Sequence, residues 1–409
     1  MVNKLKRLIL IITLFAVIIA AFHLKLNPKL TVFSEEYQSN DISKFDVELT
    51  SLLINKLNQL EIPGMQVAIK INDELHHYNI GTIDYKRTKK VSEENIYKIG
   101  SVTKVFTATL ALILREEGYF DLEDTIVKWF RNVVNSETIT IRTLLNHTSG
   151  IYNYTENFPF QCKVLLSPKK VWTRKELYKY IVKGQPAFKP GEEHRYSNSN
   201  YVLLGLICEK VTGKEYEELL HEKIIDYANL ENTHIIPYDH IPEKLVEGYD
   251  RDVIPLGINK IKISNTSWSS MAYSAGAIVS NCNDLIKFFS YLLSESIISN
   301  KYLEEMMDFI DCTDEDIFVQ TGYGLGLRRF EIRDNILIGH TGTIPGYGGL
   351  LIYNMERDYS VAVLANISYL DQIDILTEII NYINSQEVNF LKEDSYFCRD
   401  QSYVHFSFI

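Results

Sequence analysis

Gly100-Ser101-Val102-Thr103-Lys104 opens a stretch whose apolar spacing predicts a helix from Ser101 to Glu117. A serine in the first turn of a helix lies among unpaired backbone N–H groups at the positive end of the dipole, which favours a developing alkoxide. Lys104, three residues on, shares its face. A lysine enclosed in a cleft can lose its proton near neutral pH and serve as base for a serine nucleophile. The spacing recurs at Ser167-Pro168-Lys169-Lys170, where the proline signals only a helix start. Tyr-x-Asn occurs three times. Tyr227-Ala228-Asn229 and Tyr382-Ile383-Asn384 fall within or at the ends of expected helices, where a tyrosine packs. Tyr196-Ser197-Asn198 follows Pro190-Gly191 on a loop before a helix, where side chains can point into a cleft. His340-Thr341-Gly342 is expected at the end of a strand, and a glycine at 342 would let a substrate's backbone approach closely.

Other chemistry-bearing residues read more plainly. His147, in Leu144–Ile151, is expected in a turn with its ring satisfied by backbone. His76 and His77 sit on one expected strand and point to opposite faces, so they do not form a metal pair. Ala272–Gly276 is one residue short of the G-x-S-x-G pattern and is expected as a loop lining the cleft. The five cysteines (162, 208, 282, 312, 398) include no C-x-x-C pair, so no structural zinc site is expected, and their odd number leaves at least one free thiol. No metal and no cofactor is expected.

These residues need elements to hold them. Asp46–Leu60 has helical spacing, Met65–Ile71 and Leu75–Ile80 read as a hairpin, and Asn335–Gly339, Gly349–Tyr353 and Tyr359–Leu364 as strands, before an amphipathic helix over Ile373–Ile383. The middle is mostly helical: Arg174–Val182, Asn200–Val211, Tyr216–Tyr227 and Asp284–Leu293. The pattern predicts an α/β fold of the α+β sandwich kind, with an antiparallel sheet built from both chain ends and flanked by helices. A mostly helical subdomain is inserted at about 121–270. Residues 47–385 form the expected catalytic unit, 27–46 a tether, and 386–409 an aromatic-rich tail without an assigned role.

The 409 residues are 46% hydrophobic and 12% aromatic, which excludes intrinsic disorder. A formal charge of −11 and a pI near 5.5 argue against a nucleic-acid partner. At the N-terminus Lys4, Lys6 and Arg7 precede a nearly unbroken apolar run from Leu8 to Phe22. That run is shorter than the span of about 20 residues a bilayer needs. It is expected to export the chain, residues 1–26 acting as a signal peptide or a short membrane anchor, and the protein to be secreted, periplasmic or held on the extracytoplasmic side.

Taken in order, Tyr97–Thr109 (YKIGSVTKVFTAT), Leu144–Ile151 (LLNHTSGI), Tyr196–Leu204 (YSNSNYVLL), Tyr323–Gly326 (YGLG) and His340-Thr341-Gly342 make the chain resemble the serine β-lactamase and penicillin-binding-protein superfamily. The match is to the branch of class C β-lactamases, D-alanyl-D-alanine carboxypeptidases and related esterases. The resemblance covers about residues 47 to 385 and implies the β-lactamase/transpeptidase-like fold. It implies Ser101 as the acyl-forming nucleophile, Lys104 as its basic partner, and Tyr196 as proton shuttle to the leaving group. Asn198 would orient Lys104 and the substrate amide. The oxyanion hole would be the backbone N–H groups of Ser101 and Thr343, each such donor supplying roughly 3–4 kcal/mol. His340 and Thr341 would hold the substrate's carboxylate. Class C β-lactamases resemble this pattern but carry lysine where His340 stands. That shifts the expectation toward a peptidase or esterase acting on a small peptide or ester, with a β-lactam as alternative substrate, or a penicillin-binding sensor without turnover.

Overall fold

The computed structural model describes residues 44–397 except 72–73, 85–86, 251–264, 315–316, 318 and 369. The expected export segment 1–26, most of the tether and the end of the tail lie outside the described residues. Among the described residues no helix is long and apolar enough to cross a membrane.

Two sheets are formed by β1 (Gly64–Ile71), β2 (Glu74–Gly81), β3 (Tyr97–Lys98), β4 (His234–Ile235), β5 (Ile278–Ser280), β6 (Ile310–Asp311), β7 (Gln320–Tyr323), β8 (Arg328–Ile332), β9 (Asn335–Ile344), β10 (Tyr347–Asn354) and β11 (Tyr359–Ala365). The larger sheet is antiparallel in the order β2-β1-β11-β10-β9-β8-β7-β6. The N-terminal hairpin thus joins strands from the last quarter of the chain through β1 and β11, Val67 opposite Val363.

Alternation along the central strands explains why both faces are covered. Val67, Ile69, Leu350, Ile352, Val361 and Val363 point to one side, into a core with Leu49, Leu53 and Leu57 of the helix Lys44–Gln59 and Ile375, Ile379 and Ile383 of the helix Gln372–Phe397. Their neighbours Ala68, Leu351, Ala362 and Leu364 point the other way, against the helix Thr103–Glu116 and the helical subdomain. Phe106 stacks on Phe288 of the helix Cys282–Leu293 there, ring centroids 3.7 Å apart. The mixed α/β architecture matches the sequence reading.

Some elements differ. The strand through His340 does not end there: β9 runs to Ile344 and turns at Pro345-Gly346 into β10, so His340-Thr341-Gly342 lies inside a central strand. Ser101 sits not in the first α-turn but in a 3-10 turn, Gly100–Val102, and the α-helix begins at Thr103. Ser167–Lys170 is a turn closing the helix Phe158–Leu166, not a helix start. The helix expected over Tyr216–Tyr227 is α-helical only to Leu220 and widens into a π turn at His221–Ile225.

Candidate active site

The nucleophile turn is clamped between the two sheets. Ile99 N–H donates to the Ile278 carbonyl (3.1 Å), and Gly100 bends the chain with φ +51°. A side chain at Gly100 would stand 2.8 Å from Thr343 N, and one at Gly342 only 2.0 Å from the Ile99 carbonyl. Glycine at 342 is therefore needed for the close approach of the chain's own nucleophile turn, rather than of a substrate backbone. The result is that Ser101 and Thr343, the two residues whose amides were expected to face one oxyanion, lie on abutting backbones. Gln372 steadies the strand from the far side, its Nε2 donating to the Gly342 carbonyl (2.8 Å) and to Thr343 Oγ1 (3.2 Å).

Lys104 is completely buried, and its Nζ lies 3.0 Å from Ser101 Oγ. Two other neighbours are acceptors: Asn198 Oδ1 and the Ala275 carbonyl, each at 2.8 Å. The Asn198 amide is oriented by its Nδ2 donating to Thr155 Oγ1 (3.1 Å). Burial, assisted by the Arg328 charge, holds the Lys104 amine well below the ordinary lysine range. A neutral amine has two N–H bonds. With both spent on Asn198 and Ala275, its lone pair is left facing the Ser101 hydroxyl.

Tyr196 lies on the other side of the nucleophile, with Lys104 Nζ 4.8 Å from its ring centre. Its hydroxyl is buried, with the Ser101 hydroxyl and the Arg328 guanidinium beside it. Burial pushes this phenol up to about 12, with Arg328 and the Ser101 hydroxyl pulling less strongly the other way. It is therefore a proton donor at neutral pH. Arg328 stands beneath it, its guanidinium 4.9 Å from the Tyr196 ring centre, 2.9 Å from Asp314 and bonded to Gln320.

A buried chain of hydrogen bonds ties the Tyr196 loop to β9. Ser197 N–H donates to His147 Nδ1 (3.2 Å), beside Asn200 Nδ2 at 3.1 Å. His147 Nε2 is 3.2 Å from Tyr323 Oη, which is 3.0 Å from His340 Nε2. His340 Nδ1 contacts the Thr341 carbonyl. The two ends fix every proton between them. A backbone N–H can only donate, so His147 carries its proton on Nε2 and gives it to Tyr323; a carbonyl can only accept, so His340 carries its proton on Nδ1 and accepts from Tyr323 at Nε2. Both rings are neutral, and burial first, then neighbouring positive charge, holds both well below the ordinary histidine range.

The expected residues Ser101, Lys104, Tyr196, Asn198 and Thr343 thus meet around the nucleophile turn, with Gly342 packed against it, while Thr341 lies opposite Leu350, on the terminal-helix side of the sheet. His340 joins them differently from the expectation. It is fully buried and both ring nitrogens are engaged inside the protein, so it presents no cation to a carboxylate. The ring of His147 meets backbone only at Nδ1, from Ser197 N–H; its Nε2 is engaged by the Tyr323 hydroxyl, so the expectation of a ring satisfied by backbone holds for one nitrogen of the two. Ala275, in the turn Tyr273–Ala275, does line the site and holds Lys104. Arg328, Tyr323 as a bridge, and Gln372 were missed. Arg328 had a signal: a charge flanked by buried Leu327 and Phe330 must be paired or used. Among the described residues, one trio of carboxylates is close enough to share an ion, Glu209, Glu215 and Glu217. Arg174 already occupies it, its Nε 2.9 Å from Glu209 and its other nitrogens on Glu215 and Glu217.

A serine backed by a neutral lysine, with a protonated tyrosine beside it and the end of β9 abutting the nucleophile turn, defines a Ser-Lys-Tyr hydrolase site on a β-lactamase-like fold. Comparison with known proteins agrees. The family model described as Beta-lactamase matches residues 49–379, and the chain belongs to that family: it is a serine hydrolase of the β-lactamase-like type. It is 24% identical over 315 residues to a penicillin-binding protein of Bacillus subtilis, an alignment spanning 74% of this chain and 68% of that protein. Among solved structures, a D-stereospecific amidohydrolase from Streptomyces sp. is 30% identical with a TM-score of 0.73, covering 81% of this chain and 97% of the other. A D-amino acid amidase from Ochrobactrum anthropi shares the fold, with a TM-score of 0.77 at 23% identity over 84% of this chain and 100% of that one.

Proposed function

We propose that this β-lactamase-like serine hydrolase, acting on amide or peptide bonds, is a D-peptidase of the D-alanyl-D-alanine carboxypeptidase type working through an acyl-enzyme at Ser101. The observation that carries the reading is the Lys104 amine, with both N–H bonds committed and its lone pair facing Ser101 Oγ. The Ser101 proton passes to Lys104 as Oγ attacks the scissile carbonyl. The amides of Ser101 and Thr343 receive the oxyanion. Tyr196 gives its proton to the departing amine and is recharged from Lys104, so one proton moves from serine to leaving group. Water then attacks the ester, its proton leaving by the same two residues, and the acid and free Ser101 are restored. The D-configuration is supported by the likeness to the D-stereospecific amidohydrolase. The nearest fixed positive charge, Arg328, is buried and paired with Asp314, so it offers a terminal carboxylate long-range attraction rather than direct contact.

An esterase is the second reading, and neutral His340 favours it, since that position offers no cation for a carboxylate. The purified chain is assayed on a peptide ending in D-Ala-D-Ala, on its C-terminally amidated form, on a small ester and on a penicillin, beside Ser101→Ala. The carboxypeptidase reading expects release of D-alanine from the free-acid peptide, reduced cleavage of the amidated form, and none by the variant. Turnover of the ester alone would make the protein an esterase, and rapid penicillin hydrolysis a class C-type β-lactamase. A lasting adduct without release would make it a sensor. For location, we propose export through Leu8–Phe22 behind Lys4, Lys6 and Arg7, leaving the domain on the extracytoplasmic side or secreted. Protease accessibility on spheroplasts, with the medium and any periplasmic fraction assayed alongside, tests this, and a chain found only inside protected spheroplasts would refute it.

A further inference from the structure

One surface of the helical subdomain carries charge opposite to that of the chain. Between Phe158 and Lys183 lie six lysines (163, 169, 170, 175, 179, 183) and a single acid, Glu176, in a protein of formal charge −11. Arg174 of the same segment turns away into its three glutamates, and Glu176 is paired with Lys170 at 2.6 Å. Lys163, Lys169, Lys175, Lys179 and Lys183 are exposed and have no acidic partner among the described residues. Three of them, Lys175, Lys179 and Lys183, recur every four residues on the helix Arg174–Lys183 and therefore share one face.

Beside this face the helix Phe158–Leu166 exposes apolar side chains: Phe158 is 72% and Leu166 80% accessible, with Leu165 and, in the turn beyond, Val171 about half exposed. Phe160 joins the two helices underneath, packing on Tyr180 at 4.4 Å and Trp172 at 4.8 Å. Between the lysines and these rings lies a depression of about 340 Å³, walled by Trp172 and Tyr180 and rimmed by Lys163, Lys179 and Lys183.

We propose that this face docks the domain on an anionic phospholipid bilayer, its lysines among the headgroups and Phe158, Leu165, Leu166 and Val171 entering the interface. A soluble polyanion would satisfy the lysines and leave Phe158 and Leu166 in water. A basic face with large apolar side chains at its edge is the pattern that suits a charged lipid surface. The acidic remainder of the chain is repelled by the same surface, so the patch also sets the orientation. The helix Phe158–Leu166 follows directly on the turn whose Thr155 holds Asn198, so a docked domain brings its cleft near the membrane plane.

The full chain is mixed with phosphatidylcholine vesicles with and without phosphatidylglycerol. The anionic advantage of wild type is read against that of the charge-reversed chain, because Lys4, Lys6, Arg7 and the run Leu8–Phe22 contribute equally to both proteins. Wild type is expected to partition roughly a hundred-fold better onto the anionic vesicles, an advantage lost in high salt. Reversal of Lys163, Lys169, Lys179 and Lys183 to Glu removes the advantage while ester hydrolysis persists. Leu165→Ser with Leu166→Ser lowers it several-fold. Equal partitioning of wild type onto both vesicles overturns the proposal, as does an undiminished advantage in the charge-reversed chain. So does a serine variant that binds normally while soluble polyphosphate displaces it, since the ligand is then a polyanion in solution. If the charge-reversed chain does not fold, amide exchange of wild type decides: it slows across 158–183 on anionic vesicles only, and unchanged exchange there refutes the docking.

Discussion

The Lys104 amine has three hydrogen-bonding neighbours and, when neutral, two N–H bonds; the assignment of Lys104 as base for Ser101 follows from that mismatch. An arginine at this position keeps its charge at every working pH and has no lone pair. Lys104→Arg is therefore expected to lower the acylation rate by at least about a thousand-fold, close to the loss in Ser101→Ala, as measured by single-turnover kinetics. The same reasoning sets the pH profile. The base must be unprotonated, and burial has lowered its titration, so acylation stays full at neutral pH and falls only on the acid side, as Lys104 takes up a proton. A rate that instead climbed toward the ordinary lysine pKa would show a solvated, charged Lys104. Tyr323 supplies a second test at this scale. Tyr323→Phe removes the oxygen between His147 and His340, leaving a buried N–H and a buried ring nitrogen unpaired, and is expected to cost about 1–3 kcal/mol of stability. Because the bridge joins the Tyr196 loop to β9, kcat is expected to fall more than KM rises.

At the scale of elements, the site depends on how closely β9 lies against the Gly100–Val102 turn. Gly342→Ala would place a methyl carbon 2.0 Å from the Ile99 carbonyl, so strand and turn must separate. Parting the Ser101 and Thr343 amides is expected to lower kcat roughly a hundred-fold or more, by the measure of a lost oxyanion donor, with the fold retained by circular dichroism. Sequence showed much of this arrangement and missed the rest for physical reasons. The apolar alternation of Met65–Ile71 and Tyr359–Leu364 revealed the central strands, and the three short motifs revealed the residues that meet in the cleft. The strands β3, β4 and β5 are two or three residues long, too short for periodicity to register, yet β5 clamps the nucleophile turn. His340 was misjudged because type alone does not reveal burial: its neighbours Tyr323 and Thr341 claim both nitrogens, a contact made across the sheet. Arg328 reaches Tyr196 from a strand 132 positions away in sequence. No local pattern reports such a meeting.

For the whole molecule, histidines in opposite settings make opposite contributions to the pH dependence of stability. His147 and His340 are held well below the ordinary value, and His194 falls to about 4, burial being the first cause for each. In the unfolded chain they titrate near 6.5, so below that pH the unfolded state binds more protons and stability falls as pH falls. His221 is the reverse. Asp239, at 3.0 Å, and Asp226 raise it to about 9, so its contribution is complete below about 6.5 and is lost as pH rises toward 9. Buried Lys98 and Lys104, both held below the ordinary lysine range, add stability as pH rises through the same alkaline window, so the test is the difference between chains. From about pH 6.5 to 9 the urea midpoint of His221→Gln is expected to fall less, or rise more, than that of wild type, with the acid limb unchanged.

The central claim is that Ser101 forms the acyl-enzyme, and intact-protein mass spectrometry followed by peptide mapping after exposure to a penicillin tests it directly. The expected result is one adduct of the penicillin's mass on the peptide containing Ser101, abolished in Ser101→Ala and strongly slowed in Lys104→Arg. An adduct on another residue, or one that forms equally well in Ser101→Ala, would contradict it.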